Sequence, residues 1–362
     1  MNIENWIDPE IYVILFQGIL LVVAASIFLS SNGTYLPKYN KLALILTAFL
    51  IVYLGFRPIT SKYGLADTIN YATFFHLAQT IGPEVLAYKD PGFMFVITSM
   101  LETTVSLFFT VCLALYLVPY VCAYKRFFDD KFGFAVIVMI CSFGFFGYAV
   151  NGIRNGIAFS FVTLAFAQRK YIPMILFALI GLSFHKSVVL PIAAFCITLL
   201  YNKKSTYLNI WIASALLSMM FANVVAQFIP ADFLGDDRLS TYMNANFQDQ
   251  VNASFSYVGF RYDFLIYSAI PIIIGWKYLN GDGWSNVWYE RIYNTYILCN
   301  SFWLFTAYVP YNNRFAFLSW FLYPILVTYP YIQNTDELDT KLKNVLGLSY
   351  LFMFLMWIKD FK

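Results

Sequence analysis

The chain has 362 residues, 60% of them hydrophobic and 12% charged, about half the ~25% charge of a soluble globular domain. That balance excludes a water-soluble fold. The 23 Lys and Arg against 20 Asp and Glu leave a net charge of +3, too small and scattered to form the clustered basic face that nucleic acid requires.

At about 20 residues per membrane-spanning helix, the sequence reads as an all-α polytopic membrane protein, a single integral-membrane domain over 1–362. Hydropathy places twelve spans near 10–29, 42–56, 104–124, 133–149, 153–167, 172–185, 186–201, 208–228, 263–279, 292–309, 314–331 and 345–358. The start carries Glu4, Asp8 and Glu10 and no Lys or Arg, the opposite of a signal-peptide n-region, so the first run reads as a retained helix. Pro91 to Thr103 is apolar but short and contains Glu102, which suits an interfacial or re-entrant helix.

Loop charge sets the expected orientation. Lys38, Lys41, Lys125, Arg126, Lys131, Arg169, Lys170, Lys203, Lys204, Lys341 and Lys343 fall on one side, read as cytoplasmic. Both termini and two long loops, 57–90 and 229–262, then face outward. Ten of the fifteen Lys lie inside, whereas five of the eight Arg (Arg57, Arg154, Arg238, Arg261, Arg314) lie at the outer face. Positive-inside sorting does not explain that excess. A guanidinium keeps its charge and matches phosphate bidentately, so outward Arg is what a phosphate-bearing ligand requires. Bonding to lipid phosphate is the plainer alternative.

Arg154 and His185 sharpen the reading. The midpoint of their numbers is 169.5, inside the turn Gln168-Arg169-Lys170-Tyr171. In an antiparallel helical hairpin, residues equidistant from the turn lie at one height, here about 23 Å from the inner end. The hydrocarbon layer is about 30 Å thick, so both groups should be sunk in its outer third, where a charge by default marks a function. His185 is one of two histidines; an interhelical hydrogen bond is its plain alternative. His76, in an amphipathic stretch of the first external loop, reads as structural. Two separated histidines and no carboxylate cluster make a transition-metal site improbable, and the five cysteines (Cys112, Cys122, Cys141, Cys196, Cys299) include no Cys-x-x-Cys pair to indicate a disulfide framework or zinc site.

The first external loop holds Gly55-Phe56-Arg57 and then Gly64-Leu65-Ala66-Asp67-Thr68-Ile69-Asn70-Tyr71. Asp67, Asn70 and Tyr71 form the polar and aromatic mixture that binds sugars, although Asp67 could simply cap a helix from Thr68 to Gln79. Arg314 opens a late span, near outer-leaflet depth, where snorkelling is its plain alternative. The aromatic-rich segment 229–262 suits a lid over a polar cavity.

Together, Gly55-Phe56-Arg57, the Gly-x-x-Asp-Thr-x-Asn-Tyr run from Gly64 to Tyr71, the run Arg154-Asn155-Gly156-Ile157-Ala158, Phe184-His185-Lys186-Ser187 and an Arg opening a late span resemble the EpsG family of Wzy-type polysaccharide polymerases, over nearly the whole chain. Two departures stand out. The family more often has Gln where Asn155 follows Arg154, and it usually spaces its Gly and Asp one residue closer than Gly64 and Asp67. The resemblance implies a metal-independent glycosyltransferase, without cofactor or nucleotide-sugar donor, in a bacterial inner membrane. It would join undecaprenyl-diphosphate-linked oligosaccharides at the outer face, beside a chain-length regulator protein and no nucleic-acid partner. Charge develops on the leaving diphosphate as a sugar hydroxyl attacks the anomeric carbon, and preplaced Arg side chains stabilise that state. Arg154 and Arg314 would hold the diphosphate, with Arg57 a further candidate, and Asn70 and Tyr71 would hold sugar. His185, titrating near neutrality by nature, would serve as general base or diphosphate donor; Asp67 is the competing base. Three alternatives stay open: a lipid-linked glycan ligase, a flippase or other transporter, which favours internal repeats and midplane broken helices, and a membrane acyltransferase.

Overall fold

The computed structural model describes residues 5–85, 90–225, 260–281, 286–307, 313–333 and 335–360. These residues are predominantly helical, with one pair of two-residue strands, and they divide into two compact units, 1–185 with 331–362 and 186–330.

In the first unit the helices are α1 Pro9–Phe28, α2 Tyr39–Gly55, α3 Thr68–Ile81, α4 Pro91–Ser99, α5 Val105–Phe128, α6 Phe132–Ile140, α7 Gly144–Val150, α8 Ile153–Phe166 and α9 Tyr171–Phe184. Local chemistry fixes several starts. Asp8 caps α1, accepting from the amides of Glu10 and Ile11, with Pro9 in the first turn, and the Thr104 hydroxyl caps α5 at the Leu107 amide; both satisfy amides that a helix start leaves orphaned. α5 packs against α2, α6 and α8. Its buried Tyr116, Tyr120 and Tyr124 recur every four residues and therefore line one face, with ring centroids 5.4 and 6.2 Å apart.

The second unit contains α10 Val189–Leu200, α11 Lys204–Val225, α12 Tyr262–Leu279, α13 Val287–Phe305, α14 Asn313–Trp320 and nearly all of α15 Tyr323–Ile332. α13 is its centre, packed on α10, α11, α12 and α14. Asn300 gathers several buried polar groups there. The Asn300 amide donates to the Ser268 and Ser319 hydroxyls, each at 3.0 Å, and accepts from the Trp211 indole at 2.7 Å, as the low-dielectric interior demands.

The chain returns to the first unit through α16 Thr340–Asp360. There β1 Thr34–Tyr35 pairs antiparallel with β2 Glu337–Leu338, the Lys131 ammonium binds the carbonyls of Ile332 and Thr335, each at 3.1 Å, and Lys343 binds the Ser30 carbonyl. One end of this unit thus gathers Lys131 and Lys343 beside the β1–β2 pair. At the far end of α2, the Trp6 indole donates to the Phe56 carbonyl at 2.5 Å and Asn5 accepts from the Ile59 amide at 2.8 Å, so the start of the chain lies beside the first long loop.

Among the described residues, five helical stretches are long and apolar enough to cross a membrane: Pro9–Phe28, Leu36–Gly55, Val105–Ile140, Arg314–Ile332 and Thr340–Lys359. The twelve expected spans are not matched one for one. The run at 133–149 is two helices, α6 and α7. It breaks at Cys141 and Ser142, where the Ser142 hydroxyl turns back onto the Val138 carbonyl at 2.7 Å, a competitor of the helical ladder. The run at 314–331 is α14 and α15, separated at Phe321 and Leu322; Pro324, which has no amide proton to continue a helix, sits at the second position of α15. The expected lid, 229–262, lies outside the described residues up to position 259, as does Arg238.

Candidate functional site

The hairpin α8–α9 supplies the frame. A Cβ on Gly181 would come within 2.9 Å of the Ala158 carbonyl oxygen, so only glycine permits this approach of the two backbones. Ala158 and Gly181 are equidistant from position 169.5, and so are Arg154 and His185. The packed register therefore sets those two residues at one height. Each helix has fourteen residues, about 21 Å of rise, less than the roughly 30 Å of a hydrocarbon layer.

Arg154, in the first turn of α8, lies against the segment 57–90. Its guanidinium forms an ion pair with Asp90, the two side chains being 12% and 9% exposed, and its charge acts on the Tyr71 phenol beside it. Phe93 stands 5.9 Å from the guanidinium carbon and packs edge-on against Tyr71, with centroids also 5.9 Å apart. Burial pushes the Tyr71 phenol up and Arg154 pulls it the other way. With its pKa raised overall, Tyr71 stays a neutral hydroxyl.

Asp90 occupies the N-cap position of α4 in extended conformation, yet its carboxylate makes no capping bond and is committed to Arg154. The next residues fix α4 in place. A Cβ on Gly92 would lie 3.1 Å from the backbone carbonyl of Ser183, so the start of α4 is pressed against the end of α9, two residues before His185. His185 ends α9 in extended conformation, with its amide on the Gly181 carbonyl at 3.2 Å, and is half-buried. Phe184 anchors the same turn, buried and stacked on Phe161.

Asp67 precedes α3, as expected, but it does not cap it: its backbone is helical and its side chain makes no capping bond. Instead its carboxylate accepts from the Asn70 amide at 3.2 Å, and its backbone amide donates to Asn151 at 3.1 Å. The same Asn151 side chain donates to the Gly64 carbonyl at 2.8 Å. Gly64 has φ +79°, a conformation glycine adopts without the Cβ penalty. The turn at 63–64 thereby presents its carbonyl to Asn151 and locks the loop onto the entry to α8.

Arg57 lies deeper, 3% exposed. It donates to the Thr68 hydroxyl at 3.1 Å and the Leu54 carbonyl at 2.9 Å, and its carbon lies 3.7 Å from the centroid of Phe109. Its Nη2 has no hydrogen-bond partner among the described residues. Burial lowers its pKa to about 10, so it remains a cation at neutral pH.

The structure thus gathers Arg57, Asp67, Asn70, Tyr71 and Arg154 around α3 and the start of α8, through separate bonds, two of them to residues that sequence reasoning passed over, Asp90 and Asn151. A signal for Asp90 existed: an acid directly before Pro91 at a helix start, which reads as an ordinary cap. Asn151 carried none beyond its closeness to Arg154. Arg314 belongs to the second unit and is exposed in the first turn of α14. Arg261 is bound by Asp263 through two bonds of 2.8 and 2.6 Å, so its charge is already matched locally. His76 meets the Gln79 amide oxygen at 3.1 Å, and Gln79 binds the carbonyls of Leu101 and Thr103, a tie between α3 and the loop before α5. No group of three His, Cys, Asp or Glu able to hold a metal occurs among the described residues.

Long apolar helices and a buried ion pair at the end of a short helical hairpin define an α-helical membrane protein with a polar site at one end of a helical unit. Within that class the chain belongs to the EpsG family, whose model matches residues 40–362; the family is associated with polysaccharide biosynthesis. No curated protein and no solved structure matches the chain.

Proposed function

We propose that this protein is a polysaccharide polymerase of the Wzy type. In this reading it is a multi-pass protein of the bacterial inner membrane that joins undecaprenyl-diphosphate-linked oligosaccharide repeats at the outer face. The observation that carries the reading is a guanidinium, Arg154, held by Asp90 beside Tyr71 at the height of His185, at the end of helices too short to cross the layer. A buried charge of that kind is costly unless it serves a ligand, and diphosphate is the anion that a planar fork fits.

In the reaction, a hydroxyl oxygen of the incoming repeat attacks the anomeric carbon of the growing chain. The bond from that carbon to the diphosphate breaks, and the electron pair leaves with the lipid diphosphate. Arg154 stabilises the charge that accumulates there, and the low dielectric of the recess strengthens the effect. His185 takes the hydroxyl proton; Asp67, whose carboxylate accepts from Asn70, is the alternative acceptor. Asn70 and the neutral Tyr71 hydroxyl offer hydrogen bonds to sugar. Arg57 acts from below, holding α3 through Thr68, and Arg314 enters as a diphosphate ligand on its sequence position alone. Guanidinium groups neutralise the diphosphate without a metal ion.

The test is the length distribution of the surface glycan. Arg154→Ala or His185→Ala, inserted and expressed normally, should collapse the ladder to a core bearing one repeat unit, because single repeats are still exported and attached. Long chains retained on the lipid carrier would indicate a ligase instead. Single repeats trapped on the cytoplasmic leaflet would indicate a transporter, and an intact ladder in both variants would remove these residues from the site.

A further inference from the structure

Asp90 has no part in the chemistry above, yet it is the strongest partner Arg154 has. We propose that Asp90 is an internal counter-ion, a positioning residue that occupies the phosphate seat on Arg154 in the resting protein, yields it to the incoming lipid diphosphate and reclaims it to expel the product. The inference rests on the polymerase reading and deepens it.

Three observations carry it. The pair is nearly closed to solvent on both sides, so the guanidinium requires an anion beside it whether or not substrate is bound. Asp90 stands at a helix N-cap in the extended conformation that capping uses, but gives up that stabilising role for Arg154. Pro91 at the first position leaves the amides of the second and third positions for a cap to serve, as Pro9 does for Asp8 in α1, so the helix start does not itself drive the carboxylate onto Arg154. Finally, the contact of Gly92 with Ser183 holds α4 against the end of α9, so the carboxylate returns to a fixed place when the diphosphate departs. Arg57 offers the contrast: a buried cation of the same region whose bonds are to a hydroxyl and a carbonyl rather than to a carboxylate.

A carboxylate and a phosphate oxygen accept from the same fork, so they compete for it. A neutral amide competes far less. Asp90→Asn should therefore bind undecaprenyl diphosphate roughly ten- to a hundredfold more tightly than the parent, the range set by one hydrogen bond between charged groups. In turnover the donor KM should fall, kcat should fall with it, and inhibition by added undecaprenyl diphosphate should sharpen, since product leaves slowly. Asp90→Glu, which restores the charge, should bring affinity and product inhibition back toward the parent. Where Asn gives no folded protein, Asp90→Ser, which can cap α4, makes the same measurement.

Binding of undecaprenyl diphosphate to purified full-length protein in detergent reads these outcomes. Affinity unchanged in Asp90→Asn, in a protein whose affinity does fall on Arg154→Ala, overturns the counter-ion and leaves the polymerase reading standing. A lower kcat with unchanged product affinity overturns it too, by making Asp90 a proton acceptor. If parent and Arg154→Ala bind the lipid diphosphate equally, the polymerase reading fails, and the counter-ion with it.

Discussion

Arg154 concentrates the residue-scale argument, because its charge, its planar fork and its two fixed neighbours make separable claims. Arg154→Lys keeps the charge and loses the fork, so polymer synthesis should fall by roughly two orders of magnitude, the usual cost of removing one aimed transition-state donor. Measuring the initial rate of chain extension with purified protein checks this; a rate within threefold of the parent would reduce Arg154 to a point charge. Tyr71→Phe removes the neutral hydroxyl beside the Arg154 guanidinium and should slow the same reaction about tenfold or more without altering insertion. Arg154 and His185 were legible in the sequence because a charge and a lone imidazole interrupt apolar runs at matched distances from a turn. Asp90 was not, since an acid before a proline resembles a cap, and only the fold shows its carboxylate turned to another helix. Asp67 misled in the opposite sense: its position before α3 suggests capping, while its backbone already lies in the helical region and its side chain serves Asn70.

The height of Arg154 and His185 depends on the α8–α9 hairpin, and the hairpin depends on Gly181. A valine there would push into the Ala158 carbonyl and Val162, separating the helices at a cost of about 1–3 kcal/mol or more. Gly181→Val should lower the melting temperature in detergent and abolish extension, whereas Gly281→Ala, in an exposed turn with ordinary contacts, should change neither. An unaltered melting temperature in Gly181→Val would mean that the backbones need not approach so closely. Helix existence was readable from composition, and the bounds of α1, α2, α8 and α9 fell within three residues of expectation. The breaks within 133–149 and 314–331 were not read, because a hydropathy window averages over the few residues where a ladder fails. Pro324 was an available mark for the second break. The first has no such residue, only the Ser142 hydroxyl and the glycines that follow it.

At the scale of the whole molecule, the side of the membrane and the chemistry of the ligand have to agree. A site that neutralises diphosphate with guanidinium groups should extend lipid-linked repeats in excess EDTA; complete loss of activity, with rescue by a divalent ion, would contradict the Arg assignment. The same site needs the outer face, where exported repeats arrive. Within the first unit, Lys38, Lys41, Lys131, Lys341 and Lys343 attach to the end that holds β1 and β2, while Trp6, Phe56 and the loop on Asn151 attach to the other. Lys in short loops is retained on the cytoplasmic side, so the end bearing Arg154 should face outward. Ser61 and Lys203 are both exposed, which makes them suitable reporters in a background lacking the five native cysteines. A cysteine at Ser61 should react with an impermeant maleimide in intact cells whose outer membrane has been permeabilised, and a cysteine at Lys203 should react only after lysis. Labelling at position 203 alone would invert the protein, put the guanidinium and His185 on the cytoplasmic side, and remove the exported repeat as their substrate.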